Sequence, residues 1–168
     1  MSIREATGYV LPPDDGRAIW FLDALLTWKA TGASTDGQWE LVEQLGPHGF
    51  GPPVHSHDRE SEGFYIIEGE LSFILGEERL SAPAGSFVYI PPAMKHAFVV
   101  ESSQAKFLTF VTPAALEAFL DELSVPAAAR RLPGPLAEPL DVERFAAAAA
   151  KHGQKVHGPP PAPRAKPA

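Results

Sequence analysis

Cysteine is absent from the 168-residue chain. Disulfides, thiolate metal sites and cysteine nucleophiles are therefore excluded, and any bound metal must use nitrogen and oxygen ligands. Positive charge is also scarce: 14 lysines and arginines stand against 21 aspartates and glutamates, for a formal net charge of −7. A surface of that sign is not built to neutralise phosphates, so nucleic acid is not an expected partner. No apolar run approaches the roughly 20 residues that cross a bilayer. The opening stretch MSIREATGYVLPPDDG has no apolar core of a secretory leader. A cytoplasmic chain without a membrane partner is the expectation.

Apolar residues make up 45% of the chain, enough for one domain to bury an ordinary core. From about Ile19 to Val111 they fall into short runs punctuated by Gly, Pro and polar turns, the pattern of an all-β sandwich or barrel. Candidate strands are Leu25–Ala30, Trp39–Leu45, Gly63–Glu68, Glu70–Leu75, Ser86–Ile90, His96–Val100 and Lys106–Val111. Turns as tight as Glu68-Gly69-Glu70 and Gly76-Glu77-Glu78 predict antiparallel neighbours. Beyond Val111 the period becomes helical. Thr112 is a candidate cap for a helix opening at Pro113, with Leu116, Phe119, Leu120 and Leu123 on one face. Asp141 is a candidate cap for a second, alanine-rich helix that Gly153 ends; its small face calls for a neighbouring surface or a second subunit. The chain thus divides into an N-terminal arm with the first strands (1–38), a barrel core (39–111), C-terminal helices (112–152) and a Pro-rich tail expected to be disordered (153–168).

The chemistry concentrates at Pro53–Gly63, PVHSHDRESEG. Residues two apart on a strand share a face, so His55 and His57 present both imidazoles to one side. Glu62 opens the next strand on the face of Phe64 and Ile66, where a lone buried carboxylate is costly and a bound cation removes the cost. His96 begins a later strand after Pro91-Pro92, with Phe98 behind it on the same face. Two hairpins therefore offer the same arrangement, a polar ligand backed by an aromatic lining. An isolated His-x-His is a weak signal; its coincidence with Glu62, the flanking glycines and His96 makes a metal site the reading. His48 reads as a solvated loop residue, His152 and His157 as a helix end and tail, and Asp58-Arg59-Glu60 as a solvated loop face. Trp20, Trp28, Trp39, Phe73, Phe87 and Tyr89 read as core sooner than pocket.

These residues resemble the two motifs of the cupin superfamily. Gly49-FGPPV-His55-Ser-His57-DRES-Glu62-GFYIIE-Gly69 is similar to the first over its full spacing, and Gly85-SFVYI-Pro91-PAMK-His96 to the second. Ala93 stands where the family commonly has Gly, and Val100 where it often has Asn. The resemblance implies an all-β, cupin double-stranded β-helix (jelly-roll) barrel with C-terminal α-helices. It also implies one divalent transition metal (Fe, Ni, Mn, Co, Cu or Zn) held by His55, His57, Glu62 and His96. The segment before the barrel, EGFYIIEG, PPAMKHAF and the following helix resemble single-domain bacterial quercetinase-like cupins. That likeness implies a metal-dependent dioxygenase acting on a small flavonol-like or other enolisable substrate, with dioxygen as second partner. Glu62 would serve as ligand and general base, and Phe64, Ile66, Met94 and Phe98 would form the substrate pocket. A metal-dependent isomerase, cyclase or lyase that uses no dioxygen, and a non-catalytic binding cupin, are the alternatives. Family members are commonly dimers, and exposed sheet edges invite pairing, so a homodimer is expected.

Overall fold

The alternation of apolar and polar residues from Ile19 onwards folds as strands throughout the barrel region. The computed structural model describes residues 8–136 and 140–165. Strands β1 (Ala18–Phe21), β2 (Ala24–Ala30) and β3 (Glu40–Pro47) precede the histidine pair, which lies on β4 (Val54–His57). Then come β5 (Ser61–Glu68), β6 (Glu70–Leu75), β7 (Glu78–Pro83), β8 (Phe87–Ile90), β9 (His96–Val100) and β10 (Gln104–Thr112). The C-terminal part holds α1 (Leu116–Leu123), β11 (Val125–Pro126), α2 (Val142–Lys151) and β12 (Gln154–Gly158).

Two antiparallel sheets result, ordered β11-β1-β2-β3-β10-β5-β8 and β12-β4-β9-β6-β7. The strict two-residue period of β3 shows how sequence sets the faces: Glu40, Val42, Gln44 and Gly46 are buried, while Leu41, Glu43 and Leu45 are only half-buried. Phe64, Phe73, Phe98 and Phe107 interlock in the core, with Phe64–Phe73 and Phe98–Phe107 centroids 5.1 and 5.3 Å apart in edge-on contacts. Each such fully buried side chain contributes about 2 kcal/mol through removal of apolar surface from water. The jelly-roll expectation agrees with this all-β architecture and its two short helices.

Several local expectations need correction. Thr112 does not cap α1; it ends β10, and its hydroxyl donates to the Gln38 carbonyl at 2.8 Å. The helix starts at Leu116, three residues beyond the expected Pro113, where the buried Glu40 carboxylate accepts from the Leu116 and Glu117 amides at 2.7 and 3.1 Å. A carboxylate from β3 does the work of a local cap, because the first turn packs on the barrel wall. α2 begins as expected, with the Asp141 carboxylate accepting from the Arg144 amide at 2.9 Å. Its buried face, Phe145, Ala148 and Ala149, finds its neighbouring surface within the chain, with Phe145 edge-on to Phe119 of α1 at 5.5 Å.

The tail expected to be disordered is ordered over its described part. Residues Gln154–Gly158 pair with β4, and farther on the Arg164 amide donates to Glu101 at 2.9 Å while Arg79 donates to the Ala162 carbonyl at 2.9 Å. Main-chain hydrogen bonding to an otherwise open sheet edge supplies what apolar content does not. The polar strand β7, exposed except at Ala82, also escaped the apolar-run criterion. Of the six aromatics read as core, Trp28 and Phe73 are buried, whereas Phe87 and Tyr89 of β8 are 67% and 57% exposed on the outer face. The first seven residues of the N-terminal arm and the last three of the tail lie outside the described residues. No helix among those described is long and apolar enough to cross a membrane.

Candidate metal centre

Strand parity brings the four side chains to one point. β4 turns His55 and His57 inward, β5 brings Glu62 across from the opposing sheet, and β9 adds His96. All four are buried, and one ligand atom from each lies within 4.8 Å of the others. Imidazole centroids are 5.0 Å apart for His55–His57, 4.3 Å for His55–His96 and 5.4 Å for His57–His96.

The ring orientations are set from behind. His55 Nδ1–H donates to the Pro53 carbonyl at 2.8 Å and His96 Nδ1–H to the Met94 carbonyl at 2.9 Å. A carbonyl only accepts, so both rings carry their proton on Nδ1 and aim the Nε2 lone pair inward. Glu62 Oε2 lies 2.7 Å from His96 Nε2 and 3.4 Å from His57 Nε2. These three atoms are fully buried yet have no partner in hydrogen-bonding geometry among the described residues. Buried polar atoms that face one another without pairing are costly, and the cost vanishes when they share a cation. The donor set of three imidazole nitrogens and one carboxylate thus fits a divalent transition metal.

The electrostatics agree. Burial, reinforced by His96, pushes the His55 imidazole down to about 3, so the ring is a neutral donor at neutral pH. For Glu62, burial works to raise the carboxyl, but His57 and His96 outweigh it and hold the group well below the usual carboxylate range. For His57, burial acts to lower the imidazole, and the Glu62 and Glu60 charges outweigh it and raise it. Asp58 and Arg59 are exposed, as the loop reading expects; Glu60 is not. It is 7% exposed, with Oε2 3.9 Å from His57 Nδ1, the ring nitrogen facing away from the cluster. The alternation of a solvated loop gave no warning, because Glu60 is carried inward by the turn between β4 and β5.

Beside the cluster lies an apolar cavity of about 60 Å³. His55, Glu62 and His96 form one wall, Phe50, Phe64 and Phe98 another, and Phe119 and Phe145 of the two helices roof it. Two of the four expected pocket residues, Phe64 and Phe98, line it. Ile66 is fully buried in the core instead, one pleat farther along β5 and behind Phe64. Met94 lies at the surface, 36% exposed, and touches the site only through its carbonyl. Gln44, Thr109 and Gln154 also line the cavity and were not anticipated. The inward parity of Gln44 with Val42 on β3 is a signal that could have found the first; Gln154 has no local signal in a Pro-rich polar tail.

His48 is an exposed loop residue, His152 meets Glu122 of α1 at 2.8 Å, and His157 meets Ser56 Oγ at 2.8 Å. None joins the cluster. Ala93, at the position where the second motif commonly has Gly, adopts a left-handed backbone with φ +64°, and its amide donates to the His57 carbonyl at 2.8 Å.

Residues 41–111 match the cupin domain family. Over 121 residues, 72% of this chain, the sequence is 28% identical to quercetin 2,3-dioxygenase of Bacillus subtilis; the chain spans 36% of that protein's length. Among solved structures, KdgF from Halomonas sp. superimposes with a TM-score of 0.58 at 16% identity, covering 64% of this chain and 94% of that one. A sugar phosphate isomerase from a cupin superfamily of Silicibacter pomeroyi gives 0.56 at 16% identity, over 64% and 77%. These two likenesses speak to the fold. Both motifs and the family match meet in one segment of the two-sheet fold: residues 41–111 carry the cupin domain.

Proposed function

We propose that the chain is a metal-dependent dioxygenase acting on a flavonol-like or other small enolisable molecule. The observation that carries the reading is Glu62, a carboxylate buried among three imidazoles at the wall of an apolar cavity. The 28% identity to quercetin 2,3-dioxygenase supports the substrate class.

His55, His57, Glu62 and His96 would hold one divalent metal, from among Fe, Ni, Mn, Co, Cu and Zn. Such an ion supplies Lewis acidity towards an enol oxygen and a route for dioxygen chemistry. Glu62 Oε2 faces the imidazoles. That leaves Oε1 to take the proton of a hydroxyl beside the substrate carbonyl, which makes Glu62 a general base as well as a ligand. Phe64 and Phe98, with Phe50 and Phe119, pack the planar substrate and exclude water from the electron-rich enolate.

The size of the cavity favours a second reading. Its 60 Å³ is less than the roughly 150 Å³ that holds a benzene ring. A compact enolisable substrate, isomerised, cyclised or cleaved without dioxygen, needs less space than three flavonol rings, which require the Phe119–Phe145 roof to move. Elemental analysis of protein purified without added metal, followed by oxygen-electrode assays with quercetin and 3-hydroxyflavone, separates the readings. Oxygen uptake that disappears in Glu62→Gln while metal stays bound supports the dioxygenase. Turnover of an enolisable substrate without oxygen uptake selects the second reading. Folded protein that takes up none of the six metals contradicts both.

A further inference from the structure

The strand that follows α2 adds a side chain to the cavity that the cupin core does not contain. In the pairing of β12 with β4, Gln154 lies opposite His57. Registered partners on neighbouring strands turn their side chains to the same face. Gln154 therefore faces the interior beside the histidine cluster, is 5% exposed, and lines the cavity together with His55, Glu62 and His96.

The state of its amide separates Gln154 from the other polar lining groups. Gln44 Nε2 donates to Thr109 Oγ1 at 2.8 Å, so those two side chains satisfy one another. The Gln154 carboxamide has no such partner among the described residues. Nor does it belong with the sealed, unpaired polar atoms, which among the described residues are Trp28 Nε1 and the three atoms of the cluster. An amide that is neither paired nor sealed, in a residue this deeply buried, looks onto the cavity. A glutamine kept only for packing would be replaced at lower cost by an apolar side chain, because an unpaired amide in apolar surroundings is destabilising.

We propose that Gln154 is a specificity-determining residue that donates a hydrogen bond from its carboxamide to the hydroxy-carbonyl head group of the substrate. The inference rests on the metal-site reading above and adds to it the group that recognises the substrate's oxygens. Removal of the head-group proton by Glu62 leaves an oxygen acceptor, and the amide N–H groups are the matching donors beside His57. Gln154 lies outside residues 41–111, which match the cupin family. Recognition is thus delivered by the same C-terminal segment that roofs the cavity with Phe145.

The test uses the full chain loaded with cobalt(II) and titrated with maltol, a small hydroxy-ketone, followed through the visible absorption of the cobalt. Wild type, Gln154→Met and Gln154→Glu are expected to bind equal amounts of cobalt. Gln154→Met is expected to weaken maltol binding about fivefold, the effect of one lost hydrogen bond. Gln154→Glu is expected to weaken it further, since a carboxylate both lacks the donor and repels the enolate. Should Gln154→Met fail to fold, Gln154→Glu, of nearly unchanged shape, carries the comparison. Equal maltol affinity in wild type and variant overturns the assignment of Gln154 and leaves the metal site intact. Cobalt uptake by wild type without any response to maltol overturns recognition of the hydroxy-carbonyl group. A wild type that takes up no cobalt overturns the underlying metal reading.

Discussion

His55 of β4 lies directly opposite His96 of β9, and the two imidazole centroids are 4.3 Å apart. This is the residue pair through which the two strands are registered, so the cluster sits at the narrow seam of the five-stranded sheet. His96→Ala is expected to lower metal affinity at least about a hundredfold, beyond what loss of an outer-shell partner costs. Competition with a chromophoric chelator measures it. Unchanged affinity in His96→Ala would remove His96 from the ligand set.

Glu60 acts on His57 from the far side of the ring, where its carboxylate lies 3.9 Å from Nδ1. Such a group orients an imidazole and raises its basicity. Glu60→Gln is expected to lower metal affinity about tenfold with the stoichiometry unchanged, read by the same competition. A variant that binds metal as the wild type does would return Glu60 to a packing role.

Ala93 holds a left-handed conformation, φ +64°, in the turn that leads to His96. That conformation costs a residue with a Cβ about 1–2 kcal/mol. Glycine removes the cost while adding about 0.5–1 kcal/mol of unfolded-chain entropy. The first effect wins, so Ala93→Gly is expected to stabilise the protein by about 0.5–1 kcal/mol, an increase of a few degrees in Tm. A lower Tm would count against the strain.

Glu101 gathers the C-terminal segment onto the five-stranded sheet. Ser72 Oγ donates to it at 2.6 Å, Arg79 at 2.7 Å and the Arg164 amide at 2.9 Å. Burial works to raise its carboxyl, but these donors outweigh burial and hold it below the usual carboxylate range. A carboxyl lowered on folding stabilises the fold above its unfolded pKa, and that contribution is lost as pH falls through the folded value. Thermal melts are therefore expected to show an acid-sensitive component below about pH 4 that Glu101→Gln lacks. At pH 7 the variant is expected to melt a few degrees lower, for a loss of about 1 kcal/mol. Parallel acid profiles for the two proteins would contradict this.

The cluster was legible in the chain because strand periodicity is local. His55 and His57 share a face whatever the strands around them do, Glu62 is the second residue of its strand and His96 the first of its own, and fixed spacing between glycines sets the turns. The all-β core was legible for the same reason, since alternation within a strand announces which side is buried. Other features depend on contacts far apart in sequence. Glu40 caps a helix that begins 76 residues later. Glu60 is buried by the turn that closes on His57. Gln154 faces the site only because the open edge of β4 accepts one more strand, and main-chain hydrogen bonds leave no mark on the side-chain pattern. Local periodicity wrote the four candidate ligands into the sequence; long-range pairing and helix docking gave them their cavity, its roof and the Gln154 amide beside them.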